Sequence, residues 1–335
     1  MKAIIVPQFG GPEALIYTEM DQPQAGPGQV LIKVKACSLN FSDVKIRKGS
    51  KETGKIPYVP GIDAAGIVAG WGEGVTDFFI GQRVLAFPVG GSYAEYAVAP
   101  ANLTFPIPYA VDFLTAAAAP IVSFTAYKLL SDVASIQPGE TVLVHAAGGG
   151  IGTTAIQLAK MMGAGKVIGT ISQEEKREVV RQAGADDVIN REAENFAEKT
   201  LVSTDGRGVD IILDSMAGDV TEKSLDCLAK FGRLVQFGNA GGRAGMIRSS
   251  ALHASCRSVR GFSFSTLRKY RPHAVKPIAE KVIPLLEKKR LQMIVGHMFA
   301  LADAAKGHVL MESRKSTGKI ILIPPGSELE KLLQA

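Results

Sequence analysis

The order of apolar and polar residues along the chain changes character three times. From Lys2 to about Val98, short β-branched runs such as AIIV, VLIKVKAC and AAGIVAG alternate with turns that contain glycine and proline. Closely spaced strands of this kind predict a small barrel or sandwich. An alanine-rich pattern over residues 114–163 then predicts helices.

Strands and helices alternate regularly from Thr141 onward. The runs TVLVH, KVIGT, DVIN, VDIILD and GRLVQFG predict strands, and the segments between them predict helices near 151–162, from 174, near 192–201 and near 220–228. This alternation is typical of a parallel, doubly wound sheet, so the predicted fold class is α/β.

The alternation stops after Gly241. SVRGFSF predicts one more strand, residues 272–289 and 301–311 predict helices, and GKIILIP predicts a closing strand. This tail is too short to fold alone. We therefore expect it to return to the first domain, with the doubly wound domain inserted between the two pieces.

Composition narrows the class of protein. The 335 residues, 46% of them apolar and 21% charged, suit about two globular domains and exclude disorder, collagen and coiled coil. The three cysteines are far apart, which argues against a disulfide framework or a cysteine zinc site and favours a reducing compartment. Polar residues interrupt the most apolar segment, 113–130, so we expect a cytoplasmic protein with no membrane partner.

The strongest local motif is the glycine-rich turn in TVLVHAAGGGIGTTAIQLAK. The spacing of Ala146, Gly149 and Gly152, between a strand and a helix, is a variant of the dinucleotide-binding fingerprint. Small residues let the backbone approach a pyrophosphate, and the N–H groups at the helix start face that anion. A tight turn that binds nothing is the alternative. The expected cofactor contacts here are Ala147, Gly148, Gly149, Gly150, Ile151 and Gly152.

The end of the second strand of this domain distinguishes NAD from NADP. NAD enzymes usually place an acidic residue there to bind the ribose 2′-hydroxyl, whereas this chain has Thr170 and Ser172. Lys176, Arg177 and Arg191 follow, and they suit a 2′-phosphate with its two negative charges. A solvated helix face is the alternative for Lys176 and Arg177. The sequence therefore predicts NADPH, with Thr170, Ser172, Lys176 and Arg191 at its site.

Nearly the whole chain resembles the zinc-independent quinone oxidoreductases related to zeta-crystallin, within the medium-chain dehydrogenase/reductase superfamily. The resemblance is carried by stretches such as VLIKVKACSLNFSDVKIRKG, VPGIDAAGIV, GSYAEYAV, VLVHAAGGGIGTTAIQLAK and SRKSTGKIIL. It implies a β-rich, GroES-like catalytic domain of residues 1–122 and 259–335, and a Rossmann NADP-binding domain of residues 123–258. It also implies a homodimer, with the strand near 258–265 as a candidate edge for pairing.

The chain departs from the zinc-dependent alcohol dehydrogenases of the same superfamily at each protein ligand of the catalytic zinc. Where those enzymes have Cys, a His-Glu pair and a second Cys, the resemblance places Asn40, Ile62-Asp63 and the neighbourhood of Ile121. We therefore expect no metal. Without a Lewis acid, the substrate should be an acceptor that takes hydride readily, such as a quinone or an α,β-unsaturated carbonyl.

The resemblance also implies roles for individual side chains. Asn40 is expected near the nicotinamide and the substrate, and Lys45 and Thr125 along the cofactor cleft. Lys45 has two interpretations: it stabilises an enolate or quinol anion, or it is a solvated lysine. Asp43 also has two: it is an acid/base residue, or it is a helix cap. Related enzymes carry tyrosine at the positions of Lys45 and Lys51. The remaining implied cofactor contacts are Phe237, Gly238, Asn239, Phe262, Ser263, Phe264 and Arg314, and Arg191 matches a position near the 2′-phosphate.

These observations predict an NADPH:quinone oxidoreductase, with transfer as hydride or as single electrons both open. An NADPH-dependent alkenal, enone or enoyl reductase with an electrophilic carbonyl substrate is the nearest alternative. A different class of function is RNA binding or a structural role, as in some relatives of zeta-crystallin. The formal charge of +6 permits nucleic-acid contact, but no aromatic RNA-binding motif or basic tract is present, so we expect no nucleic-acid partner.

Overall fold

The computed structural model describes residues 1–49 and 56–333. The chain divides into two compact units. The first, here called the split unit, comprises Met1–Ile121 and Leu267–Ala335. The second, here called the inserted unit, comprises Val122–Thr266.

The strands and helices of the described residues follow the chain in this order. The strands are β1 (Lys2–Ile5), β2 (Ile16–Glu19), β3 (Gln29–Leu39), β4 (Ala64–Trp71), β5 (Arg83–Ala86), β6 (Tyr96–Pro100), β7 (Thr104–Pro106), β8 (Thr141–Val144), β9 (Lys166–Ile171), β10 (Asp187–Asn190), β11 (Val209–Asp214), β12 (Leu228–Gln236), β13 (Ser258–Gly261), β14 (Val295–Ala300) and β15 (Lys319–Ile323). The α-helices are α1 (Phe41–Arg47), α2 (Phe113–Ala118), α3 (Pro120–Lys128), α4 (Gly150–Met161), α5 (Arg177–Gln182), α6 (Phe196–Val202), α7 (Asp219–Ser224), α8 (Ser250–His253), α9 (Phe264–Tyr270), α10 (Lys276–Glu287) and α11 (Ala304–Glu312). None of these helices, within residues 1–49 and 56–333, is long and apolar enough to cross a membrane.

The inserted unit contains a six-stranded sheet in the order β10-β9-β8-β11-β12-β13, and every pair in it is parallel. The strands β8 and β9 lie inside this sheet, and their apolar runs lack polar alternation because both faces of such strands are covered. The predicted doubly wound α/β fold is confirmed.

The split unit contains a seven-stranded sheet in the order β14-β15-β3-β4-β5-β7, with β6 also paired to β3. The first part of β3 alternates between half-exposed and buried residues, and Val30, Ile32 and Val34 face the interior. The closing strand β15 is buried along its whole length and pairs antiparallel with the end of β3, with Ile320 opposite Leu39.

The ends of several elements differ from the sequence-based prediction. The helix expected from 192 begins at Phe196, because the Asn195 side chain accepts a hydrogen bond from Ala197 N at 3.2 Å and caps it. The helix expected to reach 228 ends at Ser224, since Leu228 already pairs in β12. The strand expected over 258–265 ends at Gly261. Strand β14 was not predicted.

The boundary of the returning segment also differs from the prediction. The predicted catalytic domain resumes at residue 259, whereas β13 pairs with β12 inside the sheet of the inserted unit. The split unit therefore resumes only at Leu267. The backbone hydrogen bonds of β13, which the sequence pattern could not assign to a partner strand, account for the difference.

A buried arginine joins the two pieces of the split unit. Arg47 in α1 is fully buried, and its guanidinium makes an ion pair with Glu312 in α11, whose side chain is 22% exposed. Lys48 reaches the same carboxylate at 2.5 Å from the surface. Removing the Glu312 charge leaves the Arg47 cation buried and uncompensated.

We expect the substitution Glu312→Gln to lower the apparent free energy of unfolding by about 3 kcal/mol, because breaking a buried ion pair from one side leaves the other charge unpaired. Urea denaturation measures this change. Lys48→Met, which removes only the exposed partner, is the matched control and should cost less than about 1 kcal/mol. Equal effects of the two variants would contradict the expectation.

Candidate functional site

The glycine-rich turn of the inserted unit connects β8 to α4. Ala146 adopts a left-handed backbone conformation with φ of 53°, and a Cβ added to Gly152 would lie 2.6 Å from Ala146 O and 2.5 Å from Ala147 O. Only glycine fits that position. Gly149 is the N-cap of the twelve-residue helix α4, and having no side chain it offers no cap acceptor to the first N–H groups of α4. This geometry fits the pyrophosphate of a dinucleotide.

Two cations lie beside this turn. The Lys176 side chain packs over Gly148, where an added Cβ would approach Lys176 Cδ to 2.9 Å. Burial, followed by the charge of Arg191, lowers the pKa of Lys176. Ser172 lies half-buried between β9 and Lys176. A phosphate between the two cations would relieve their repulsion. Both arginines also meet carboxylates: Arg191 Nη2 lies 3.2 Å from Glu192 Oε1, and Arg177 Nη2 donates to Glu174 Oε2 at 3.0 Å while its Nη1 contacts Val188 O.

Thr170 does not offer its side chain to a ligand, contrary to the prediction. It is fully buried, and its hydroxyl lies 2.9 Å from His145 Nδ1. Ser224 Oγ donates to Val220 O at 2.6 Å, so it accepts from His145 Nε2 at 2.9 Å, and Nδ1 accepts from Thr170. Burial lowers the pKa of His145 to about 4, which keeps the ring neutral. Only the backbone of Thr170 belongs to the turn, through Ala147 N to Thr170 O at 2.9 Å.

The other residues predicted to contact the cofactor lie on several elements of the inserted unit. Thr125 is buried in α3, and the Phe264 ring meets Phe124 edge-on at 6.4 Å. A Cβ on Gly238 would lie 2.7 Å from Ser215 O, so that turn also requires glycine. Ser263 accepts from Thr266 N at 3.2 Å. Phe237 and Phe262 are partly buried and Asn239 is exposed.

In the split unit, Asn40 begins a buried polar cluster where β3 ends. Its Nδ2 donates to Asp63 Oδ1 at 3.0 Å, and its Oδ1 accepts from Lys319 Nζ at 2.7 Å. Ser38 Oγ donates to Asp63 at 2.7 Å, and Ile121 N donates to Asp63 Oδ2 at 3.3 Å. The cluster thus brings together residues at or beside the positions that the resemblance aligns with zinc ligands: Asn40, Asp63 next to Ile62, and Ile121.

Sequence reasoning missed Lys319 as a functional candidate. It is 4% exposed, and burial lowers its pKa while the charges of Asp63 and Asp43 oppose that fall. The available signal was a lysine at the start of the apolar run KIILI, where a charge needs a buried partner. Periodicity does not reveal which residue that partner is.

Asp43 faces inward. Its Oδ2 accepts from Asn40 N at 2.8 Å and from Tyr93 Oη at 3.2 Å, and the residue is 1% exposed. Burial raises the pKa of Asp43 to about 7. This contact with Asn40 N is that of the helix-capping alternative, which holds the start of α1 against β3.

The other candidates of the split unit lie nearer the surface. Lys45 in α1 is partly buried, with its ammonium 5.5 Å from the centre of the Phe41 ring. Arg314 follows α11 in an exposed, left-handed conformation with φ of 61°. Lys51 lies outside the described residues.

Comparison with known proteins places the chain among the dehydrogenases. Residues 26–109 match the alcohol dehydrogenase GroES-like domain, and residues 150–280 match the domain described as zinc-binding dehydrogenase. A quinone oxidoreductase of Pseudomonas aeruginosa is 36% identical over 96% of this chain and 99% of its own length. The chain belongs to the quinone oxidoreductase family. The family predicted from the sequence is confirmed.

Two further proteins are similar to this chain over nearly its whole length. The crystal structure of Escherichia coli quinone oxidoreductase complexed with NADPH aligns with a TM-score of 0.90 and 32% identity, over 97% of this chain and 100% of that one. A 2-haloacrylate reductase from Burkholderia is 34% identical over 96% of this chain and 98% of its length.

The residues of this quinone oxidoreductase family member do not fit a catalytic zinc, although one matching domain is described as zinc-binding. Zinc needs thiolate, imidazole or carboxylate ligands. Here the Asn40 amide is used internally, the Asp63 carboxylate already accepts three hydrogen bonds, and the Lys319 ammonium lies in the same cluster. Within residues 1–49 and 56–333, no group of three or more His, Cys, Asp or Glu side chains is placed to hold a metal.

Asp43 makes the stability of this family member depend on pH. Because its pKa is about 7 in the folded chain and near 3.8 when exposed, the folded state holds a proton that the unfolded state has lost between those values. We expect this contribution to be complete below pH 4 and to disappear as the pH rises through 7. From pH 5 to pH 8 it should remove about 2–3 kcal/mol from the free energy of unfolding.

Denaturation of the wild type and of Asp43→Asn at pH 5 and pH 8 measures this contribution. The amide keeps an acceptor for Asn40 N but cannot titrate, so the variant should lose less stability over this interval than the wild type does. Identical losses would assign the pH dependence to other groups.

Proposed function

We propose that this chain is an NADPH-dependent quinone oxidoreductase that works without a metal. The observation that carries the proposal is the Gly152 turn with Lys176 and Arg191 beside it, in a chain that resembles quinone oxidoreductases over nearly its whole length. NADPH and one proton reduce a quinone to a quinol and leave NADP⁺.

The residues divide the work of binding. Backbone N–H groups at the start of α4 bind the pyrophosphate, and Lys176, Ser172 and Arg191 bind the 2′-phosphate. We assign the substrate side to Asn40 and Lys45, and we assign to Asp43 the positioning of α1, because its Oδ2 accepts from both Asn40 N and Tyr93 Oη.

A second candidate function is reduction of an electron-poor alkene. The 2-haloacrylate reductase of Burkholderia, 34% identical to this chain, favours it, since that name denotes reduction of an α,β-unsaturated acid. The fold and the nicotinamide donor are the same in both candidates. The products differ, because hydride at the β-carbon of an enone yields a saturated carbonyl compound.

Oxidation of NADPH and of NADH, followed by absorbance with 1,4-benzoquinone, 9,10-phenanthrenequinone and a short 2-alkenal, tests the two candidates. We expect quinone turnover with NADPH that is unchanged after chelation of divalent metals. Turnover of the alkenal alone would assign the second candidate. No turnover and no NADPH binding would refute both.

Arg191→Ala should lower kcat/KM for NADPH by about 10- to 100-fold and leave the value for NADH within about twofold, because a hydrogen bond to a charged phosphate is lost. Lys176→Ala should act in the same direction. The matched control is Arg207→Ala, which removes an exposed arginine paired with Asp210 in the same unit. A parallel fall with both cofactors would contradict the assignment of the 2′-phosphate site.

We also propose that the protein is a cytoplasmic homodimer. The support for a dimer is that β13 forms the end of the six-stranded sheet and pairs only with β12 among the described residues, so its other edge can pair with a second copy. Sedimentation at several concentrations distinguishes the dimer from the monomer.

A further inference from the structure

Asn40 lies between a group that can only donate and a group that can only accept. The Lys319 ammonium carries three N–H donors and no acceptor, and it lies 2.7 Å from Asn40 Oδ1. The Asp63 carboxylate oxygens accept hydrogen bonds here, and Oδ1 lies 3.0 Å from Asn40 Nδ2. All three residues are less than a tenth exposed.

This arrangement allows one orientation of the amide. A rotation of 180° would place the Asn40 NH₂ against the ammonium and the Asn40 carbonyl against the carboxylate. Donor would then face donor and acceptor would face acceptor, which is unfavourable in a buried site. We propose that Lys319, together with Asp63, is a positioning residue that fixes the orientation of the Asn40 amide. Ile320 in β15 lies opposite Leu39 in β3, and because the pair is antiparallel, Lys319, one residue before Ile320, comes beside Asn40, one residue after Leu39.

The fixed orientation determines what Asn40 offers to a ligand. Nδ2 uses its hydrogens on Asp63 Oδ1 and on Ser38, whose carbonyl lies 3.2 Å away. Oδ1 accepts from Lys319 Nζ, and the backbone N–H of Asp43 also donates to the Asn40 side chain in the capping box at the start of α1. The amide therefore has no further N–H donor for a ligand. A ligand group that contacts the amide directly must therefore donate to Oδ1, as the hydroxyl of a reduced quinone can.

Lys319 and Asp63 each make further hydrogen bonds besides those with Asn40. Lys319 Nζ also donates to Leu39 O at 3.1 Å, so the strand end holds the cation as well as the amide does. Asp63 is held by hydrogen bonds from Ser38 and from Ile121 N, neither of which involves Lys319. The two positioning groups can thus be removed one at a time.

The orientation can be observed without substrate. The chain has five asparagines, so selective ¹⁵N-asparagine labelling yields few side-chain NH₂ signals, and Asn40→Asp identifies the signal of Asn40. We expect Lys319→Met and Asp63→Asn each to shift that signal strongly or to double it as both orientations become populated. Lys319→Arg, which keeps a donor-only cation, should keep a single signal. An Asn40 signal that is unchanged in both Lys319→Met and Asp63→Asn would overturn the proposal.

The kinetic consequence rests on the proposed function. Each single variant should lower kcat with a quinone by about 10- to 100-fold while the dissociation constant of NADPH, measured by nicotinamide fluorescence, stays within twofold. Because loss of either neighbour frees the same amide, the double variant Lys319→Met/Asp63→Asn should lose no more than the worse single variant. Lys319→Arg should recover most of the rate. Additive losses, or equal losses of NADPH affinity, would contradict the proposal.

The matched control is Lys166→Met. Lys166 also pairs with a carboxylate, Asp187 at 2.8 Å, and a carbonyl, Ser203 O at 2.8 Å, but it belongs to the inserted unit, whereas the Asn40 cluster belongs to the split unit. It should change neither kcat nor the Asn40 signal. If Lys319→Met does not fold, Asp63→Asn and Lys319→Arg still test the orientation. If the wild type turns over no quinone, the proposed function fails while the labelling experiment still decides the role of Lys319.

Discussion

A buried ammonium must meet acceptors, and this requirement governs the polar centre of the split unit. Lys319 arrives on the last strand and meets Asn40 Oδ1 and Leu39 O, at the end of a strand nearly 280 positions earlier in the sequence. The pairing of β15 with β3 brings Lys319 to Asn40 and Leu39, and this contact in turn fixes the start of α1. Apolar burial alone would hold the sheet together, but it would not determine the direction of an amide.

The fold was more predictable than the chemistry inside it. The alternation of apolar strands with helices from Thr141 determines a parallel sheet, because only crossover helices connect parallel neighbours. The boundaries failed where local patterns compete: residues 225–228 continue a helical pattern, yet Leu228 pairs in β12, and Asn195 ends the helical pattern by capping. Pairing partners at sheet edges, such as β13, depend on contacts that no local window contains.

The candidate site was predictable where a motif carries its own geometry. Gly152 is required by two carbonyl oxygens within its own turn, so spacing alone identifies it. Thr170 was misassigned because alternation along a strand does not show which face meets a ligand and which meets His145. Lys319 and Asp63 escaped notice since each is ordinary in sequence, and their importance arises only when the sheet brings them to one amide.

The polar cluster around Asn40 is incompatible with a catalytic zinc. A metal needs free lone pairs, whereas the Asp63 carboxylate accepts from Ser38, Asn40 and Ile121 N, and the nearby cation is an ammonium that donates hydrogen bonds. Such a cation can orient neighbours but cannot coordinate a substrate oxygen in an open position, as a metal does. Substrates that accept reducing equivalents without a Lewis acid, with quinones foremost, are the class that this arrangement suits.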